Sequence, residues 1–357
     1  LFKGWLTGAL GSPGTICYGL HSRNMLSLQR CPLVLDAMSQ SLRIQMVTPA
    51  PARSLHGNRV TAIRWARILG DLGHRVRVVN RWTGTECDLL VALHARRSAK
   101  SVARFARLCP GKPLVVALTG TDLYQDLPAS LAARKSLELA TRLVMLQTDG
   151  MRYLSASHRR KARVIVQSAP KPARRIRALK RVMEVAVVAH LRAVKDPFRA
   201  ALASRRLPAC SRIRVIQVGR AMSENMRDRA EREVLHNPRY HWLGELPRWQ
   251  ARQRLQRSRL LVVSSRLEGA PNVASEALAA GVPMLSSRIS GMEGLLGNDY
   301  PGYFPVGDTQ RLAQMMLQAE QDPSFYRRLK QACQRIRHLV RPAREKRLWR
   351  ELLQEIS

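Results

Sequence analysis

Residues 264–284, which read SSRLEGAPNVASEALAAGVPM, decide the fold of this chain. The apolar run 260–264 predicts a buried strand, Glu268 and Gly269 predict a tight turn, and the pattern from Asn272 onward predicts a helix. A helix that begins directly after such a turn offers free backbone N–H groups to a phosphate. Glu276 lies eight residues after Glu268, at most about 12 Å along a helix, so both carboxylates could contact one extended ligand.

Outward from this stretch, short apolar runs alternate with segments of helical period. This alternation predicts an α/β protein with two doubly wound parallel sheets, Rossmann-like domains that face a cleft where ligands bind. The predicted strands of an N-terminal domain (42–170) are 43–48, 76–79, 89–93, 114–118, 143–146 and 163–166. A basic, proline-containing linker (171–182) precedes strands 184–189, 213–218, 260–264, 284–286 and 302–304 of a second domain (183–340). Predicted helices include 59–72, ending at Gly73, and 309–321, 324–339 and 343–356, the last of which could pack back on the N-terminal domain from its position within 341–357.

The start of the chain does not follow this pattern. Residues 1–41 show no steady apolar period and lack the layout of a signal peptide. We interpret them as an extension, disordered or not native to the protein, with Met38 as the natural start. No apolar stretch approaches the roughly 20 residues that span a bilayer, so we expect a cytoplasmic protein with no integral membrane segment.

The composition of the 357 residues excludes several classes of protein. Apolar residues make up 45% and charged residues 24%, proportions that exclude wholesale disorder and a collagen-like chain. The net charge of +36 would suit nucleic acid, an anionic membrane surface or an anionic substrate. The basic residues are scattered and aromatic residues total 5%, so a nucleic-acid-binding protein stays the weaker, non-enzymatic alternative. The spaced cysteines and histidines predict reduced thiols and no metal site.

The spacing of Glu268 and Glu276 resembles the E-x7-E motif of the family 4 nucleotide-sugar glycosyltransferases, and the segment EALAAGVP extends the resemblance. The resemblance implies a GT-B fold in which Glu276 binds the ribose of the donor and Glu268 lies beside the transferred sugar and the diphosphate. An ordinary capping carboxylate and a solvated helix residue are the alternative reading. The donor-binding residues predicted in this way are Glu276, Gly269, Asn272, Val273, His190, Leu246 near the nucleobase, and Gly291 near the sugar.

A second group of candidates follows the first strand of the second domain. The segment 189–197, AHLRAVKDP, stands where family members commonly have Gly-Arg-Leu followed by Lys, and His190 takes the place of that Arg. Arg192 and Lys195 remain as cations for the leaving diphosphate, unless they are simply exposed loop charges. We predict that Arg192 and Lys195 are catalytic, together with Glu268.

The N-terminal domain should supply the acceptor side of the cleft. Strand 43–48 leads into the loop PAPARSLHGNRVTA (49–62), which ends at a helix start and carries Arg53. His94, Thr119 and Asp122 follow two further strands, although Thr and Asp are also ordinary helix caps. The acceptor-binding residues that we predict are His56, Gly57, Asn58, Arg59, Thr119 and Asp122, and His94 is a further catalytic candidate.

Several longer segments together resemble the selenosugar synthases of selenoneine biosynthesis. They are HGNRVTAIRWA, LLVALHARRSA, VVALTGTDLY, SLELATRLV, HLRAVKDPFRAAL, WLGELPR and DYPGYFPVGDT, so the resemblance runs from residue 42 to the end of the chain. It implies transfer of glucose or N-acetylglucosamine (GlcNAc) from a UDP donor to selenophosphate, with loss of phosphate and without a cofactor or metal. A hexosyltransferase with an oxygen acceptor, a sugar or a lipid, stays open as the alternative function. The sequence predicts no particular oligomeric state.

Overall fold

The computed structural model describes residues 41–52, 54, 56–174 and 176–356. The predicted extension therefore lies outside the described residues, apart from Ser41, and Arg53 lies outside them too. The strands are β1 (Arg43–Val47), β2 (Arg75–Val79), β3 (Leu89–Leu93), β4 (Leu114–Leu118), β5 (Arg142–Met145), β6 (Ala162–Val164), β7 (Met183–Val188), β8 (Ile213–Val218), β9 (Tyr240–Trp242), β10 (Leu260–Val263), β11 (Met284–Ser287) and β12 (Tyr303–Phe304).

The α-helices of the described residues connect these strands and end the chain. They are α1 (Gly57–Gly70), α2 (Ala99–Leu108), α3 (Leu127–Ala129), α4 (Leu131–Leu139), α5 (Ala156–Arg160), α6 (Arg199–Ser204), α7 (Glu224–His236), α8 (Arg248–Arg257), α9 (Asn272–Ala280), α10 (Ser290–Leu296), α11 (Thr309–Gln321), α12 (Pro323–Ile336) and α13 (Pro342–Gln354). Among them, no helix has the length and apolar character needed to cross a membrane.

The strands form two six-stranded sheets, in the orders β2-β1-β3-β4-β5-β6 and β12-β11-β10-β7-β8-β9, with parallel pairing throughout. Helices cover both faces of the first sheet, and alternate residues of β3 accordingly pack into two different cores. Leu90 and Ala92 pack with residues of α2 and α4, whereas Leu89 and Val91 pack with residues of α1 and α13. A strand buried on both faces has no polar side, which explains its unbroken apolar run. The two doubly wound parallel sheets predicted from the sequence are confirmed.

Two details differ from the sequence prediction. The edge strand β9 was missed, since Tyr240–Trp242 is too short to show a period of two residues. Helix α1 begins at Gly57 and ends at Gly70, so the predicted last helical residue, Leu72, is wrong by two residues. Gly73 has φ +96° and its N–H donates to Gly70 O at 2.9 Å. It closes the turn that follows the helix, a conformation that glycine adopts without strain.

The C-terminal helix α13 packs against α1, next to the first sheet. Trp349 is completely buried and meets Trp65 edge to face, with ring centroids 4.9 Å apart. Glu345, also completely buried, accepts a hydrogen bond from Trp65 Nε1 at 2.7 Å. The last helix of the chain is therefore part of the core beneath the first sheet.

We expect Trp349→Ala to lower the free energy of unfolding by about 3–5 kcal/mol, because it empties a closely packed site between two helices. Denaturant unfolding followed by circular dichroism measures the change. Trp249→Ala is the matched control: this side chain is 59% exposed, so its removal should change the stability by no more than about 0.5 kcal/mol. Equal losses in the two variants would contradict the role given to Trp349.

Candidate functional site

A cavity of about 390 Å³ lies between the two sheets, where the loops after β1, β3, β4, β7, β8 and β10 meet. Both domains line it, as expected for ligand sites in open α/β sheets. The cavity brings together all but three of the predicted site residues. Those that line it are His56, Gly57, Asn58, His94, Thr119, His190, Arg192, Lys195, Leu246, Glu268, Gly269, Asn272, Val273 and Glu276.

Two helices, one from each domain, begin at this cavity. Helix α1 starts at Gly57 and helix α9 starts at Asn272, and neither has a side-chain cap or an acidic residue in its first turn. Their first N–H groups have no intrahelical acceptor and carry the positive end of the helix dipole. The cavity therefore offers two places for anionic groups, one on each side of the cleft.

Glu268 and Lys195 form an ion pair inside the cavity. The Lys195 ammonium donates to the Glu268 carboxylate, which also accepts a hydrogen bond from Ser265 Oγ at 2.6 Å. The Lys195 side chain is 21% exposed and Glu268 is 9% exposed. Because water is largely excluded, the Lys195 cation acts more strongly on a nearby anion than it would on an open surface.

Glu276 is held by two arginines of α8, which the sequence analysis did not single out. Arg248 Nη2 and Arg252 Nε each donate to Glu276 Oε1 at 3.0 Å. All these bonds reach Oε1, so Oε2 has no hydrogen-bond partner among the described residues. A carboxylate fixed through one oxygen can accept hydrogen bonds from hydroxyl groups on the other.

His94 follows β3 with its backbone in the left-handed region, at φ +73°. Its Nε2 lies 3.1 Å from Thr121 Oγ1, and its Nδ1 accepts a hydrogen bond from Arg97 N at 3.4 Å. Burial lowers the pKa of His94 and outweighs the opposing effect of Asp122. The imidazole is therefore neutral near pH 7, with Nε2 as its donor atom.

His56 and His190 face each other across the cavity, with ring centroids 6.1 Å apart and planes at 90°. His190 Nδ1 accepts a hydrogen bond from Arg220 N at 3.2 Å. Burial is the main cause that lowers the pKa of both histidines. Both rings are therefore neutral near pH 7, so His190 does not supply the positive charge of the Arg that it replaces in the resemblance.

Three predicted site residues do not line the cavity, which corrects the sequence analysis. Asp122 is fully buried, and its carboxylate accepts from the backbone N–H groups of Ala95, Thr119 and Gly120 at 2.8–3.1 Å. It ties two strand-end loops together and does not line the cavity.

The other two are Gly291 and Arg59. A Cβ at Gly291 would collide with the backbone carbonyl of Glu268, so this glycine makes room for the Glu268 loop. Arg59 lies in the first turn of α1 but is not among the residues that line the cavity. No group of three or more His, Cys, Asp or Glu among the described residues is arranged to hold a metal ion.

The strand-end loops of the two domains touch backbone to backbone beside Glu268. A Cβ on Gly269 would lie 2.8 Å from Gly120 N and closer still to the Thr119 carbonyl. Real Cβ atoms do not approach other atoms this closely. The absence of a side chain at Gly269 therefore sets how near the two halves of the site come to each other.

The comparisons with known proteins agree with this architecture. Residues 174–335, which include Glu268 and Glu276, match the family model described as "Glycosyl transferases group 1". Curated proteins give no significant match. Similar solved structures include HepE from Anabaena in complex with UDP and glucose (16% identity, 88% of this chain and 100% of that chain, TM-score 0.68). Also similar is sucrose-phosphate synthase from Thermosynechococcus elongatus (16% identity, 88% of this chain and 98% of that chain, TM-score 0.68). A third is the pneumococcal O-GlcNAc transferase GtfA in complex with UDP and GlcNAc (12% identity, 75% of this chain and 56% of that chain, TM-score 0.58). The chain thus has the GT-B fold, and its second domain is similar to the group 1 glycosyl transferases.

Proposed function

We propose that this protein transfers a glucose or GlcNAc unit from its UDP donor to selenophosphate. One observation carries the donor half of the proposal: Glu268 and Glu276 flank the uncapped start of α9 inside a single cavity. The family match over 174–335 and the UDP bound in HepE and GtfA support the same donor. The acceptor half is supported by the resemblance to selenosugar synthases.

In the proposed complex, each part of the donor has its own partner. The uracil lies near Leu246, the ribose hydroxyls donate to Glu276, and the diphosphate sits on the N–H groups at the start of α9. The sugar then lies beside Glu268, on the side of the cavity where His94 is found. Arg192 and Lys195 neutralise the diphosphate.

The reaction forms a carbon–selenium bond in two steps. Selenium attacks the anomeric carbon while the bond from that carbon to the UDP oxygen breaks, and UDP leaves with the electron pair. Water then cleaves the phosphorus–selenium bond, which releases inorganic phosphate and leaves the 1-selenosugar. Selenophosphate is already an anion, so the first step needs no strong base. The uncapped start of α1 and Arg97 offer contacts for its phosphoryl oxygens.

The proposed reaction uses neither a metal nor another cofactor, since Lys195, Arg192 and the dipole of α9 take up the charge that leaves with UDP. The rate of UDP release should therefore be unchanged by EDTA. A chelator-sensitive rate that is restored by a divalent cation would contradict this part of the proposal.

The decisive experiment incubates the purified protein with selenophosphate and either UDP-GlcNAc or UDP-glucose. We expect a selenium-containing hexose by mass spectrometry, in amounts equal to the UDP released. Phosphate and simple alcohols serve as control acceptors. UDP release that needs a sugar or lipid hydroxyl would favour the hexosyltransferase with an oxygen acceptor, whereas tight, salt-sensitive polynucleotide binding would favour the nucleic-acid alternative. Absence of any selenium-containing sugar would eliminate the proposed acceptor.

Glu276→Ala should raise the KM for the UDP donor about tenfold or more, with little change in kcat, because it removes charge-assisted hydrogen bonds to the ribose. Initial rates over a range of donor concentrations measure the two constants. Glu231→Ala, at an exposed position of α7, is the matched control and should leave both constants unchanged. Equal and negligible effects of Glu276→Ala and Glu268→Ala would undo the donor-site assignment.

A further inference from the structure

Arg64 of α1 reaches from the N-terminal domain to the first residue of α9. Its Nη1 donates to Asn272 Oδ1 at 2.7 Å, its Nη2 to Gln167 Oε1 at 2.6 Å, and its Nε to Glu345 Oε1 at 3.2 Å. The side chain is 12% exposed. The guanidinium is thus bound on all three nitrogens, and its planar fork fixes the direction of each bond.

Glu345 holds this fork in place. It is completely buried in α13, and its carboxylate also accepts from Trp65 Nε1 at 2.7 Å, from Ser168 N at 2.9 Å and from Ser168 Oγ. Ser168 belongs to the segment that leads from β6 to the second domain. A carboxylate with this many donors has one position, so Arg64 is anchored on the N-terminal side.

The contact to Asn272 crosses from one domain to the other. Asn272 opens α9, and its side-chain oxygen is turned to Arg64 instead of capping the helix. The Ala274 N–H donates to Pro271 O at 3.0 Å, so the N–H groups of Asn272 and Val273 are the ones without an acceptor among the described residues, while a cation of the other domain holds the helix start. Arg64 itself is not among the residues that line the cavity, so we assign it no direct contact with a bound donor.

We infer that Arg64 is a positioning residue of the donor site, which acts through Asn272 to hold the first turn of α9 where it binds the donor diphosphate. This inference rests on the proposed donor site. The site loses UDP affinity without Arg64 because the first turn of α9 must then be ordered when UDP binds, which costs part of the binding free energy.

A double-mutant cycle on UDP binding tests the inference. The dissociation constant of UDP is measured by calorimetry for the wild type, Arg64→Ala, Asn272→Ala and the double variant, and thermal unfolding shows whether each is folded. We expect Arg64→Ala to raise the dissociation constant about 5–10-fold in the wild-type background and less than about twofold in the Asn272→Ala background, because residues that act as one unit are not additive. Arg67→Ala, at an exposed position of the same helix, should have no effect.

Arg64→Lys covers the case in which Arg64→Ala does not fold. The ammonium keeps a positive charge beside Glu345, but its three donors sit on one nitrogen and do not reproduce the planar fork of the guanidinium. We therefore expect Arg64→Lys to fold and still bind UDP about 5–10-fold more weakly. Equal losses in both backgrounds, or no loss in either variant, would overturn the inference while leaving the proposed function intact. A folded wild-type protein that does not bind UDP would instead remove the donor site itself, and the inference with it.

Discussion

Lys195→Ala is expected to lower kcat by about 10²–10³-fold, with a much smaller change in the KM for the donor. The Lys195 ammonium lies in the cavity against Glu268 and beside the loop that leads to α9. In the proposed complex it faces the diphosphate, whose negative charge grows as the bond to the sugar breaks. An interaction that strengthens only in the transition state raises kcat without tightening the binding of substrate. The rate of UDP release at saturating donor measures the effect.

Glu268 is the partner of Lys195 in this ion pair. Substitution of Glu268 should therefore lower the rate partly by releasing the Lys195 ammonium. Glu268→Gln keeps the shape of the side chain but removes the charge that holds the ammonium, and we expect it chiefly to lower kcat. The double variant should be about as slow as the slower single variant, because groups that act together are not additive. Lys330→Ala, at an exposed position of α12, is the matched control. Wild-type kcat in Lys195→Ala would refute the charge assignment.

The fold could be predicted because each fully buried strand can be recognised from its local sequence. The β3 and β4 segments are buried along their whole length, and a strand covered on both faces needs an unbroken apolar run that stands out from the helices around it. The edge strand β9 has three residues and only Tyr240 fully buried, so it has no such run. Its place is set by pairing with β8, which the sequence does not show.

The site could be predicted only as far as strand ends determine it. Parallel strands bring their carboxyl ends to one edge, which placed His94, Thr119 and Glu268 at the cleft. Whether a polar side chain there points into the cavity depends on tertiary contacts. Asp122 fits both a ligand contact and a backbone cap by type and position, and its three backbone donors show the second.

Arg64 shows the other limit of prediction from sequence. It lies in the middle of an amphipathic helix of an Arg-rich chain, and nothing in its local pattern sets it apart. Its partner Asn272 is 208 residues away along the chain. The contact exists because α13 returns to the first domain and places Glu345 beside Arg64, an arrangement that depends on the packing of both domains and the last helix.

Gly269→Ala should reduce kcat/KM about a hundredfold while the protein stays folded. The new methyl group would occupy the space of the Thr119–Gly120 backbone, and backbone atoms cannot rotate away as a side chain does. The two strand-end loops must therefore separate, which moves Glu268 away from the N-terminal domain and the acceptor bound there. A displacement of about 1 Å in an active site can lower the rate by about 10²-fold. Steady-state kinetics together with calorimetric unfolding measure both quantities.

Gly269→Ala also tests whether the added methyl group chiefly lowers the free energy of unfolding or the rate. Gly269 lies where two strand-end loops meet, next to Ala270 at the border of the core beneath the first sheet. We expect the loss of stability to stay within about 1–3 kcal/mol, whereas the rate falls about a hundredfold. Gly70→Ala is the matched control, because a Cβ there meets no atom within 4 Å and its φ is not positive. It should leave the rate unchanged and the stability equal or slightly higher. Full activity in Gly269→Ala would mean that the loops part without moving Glu268, and that the catalytic distance is set by the domains and not by their contact at this glycine.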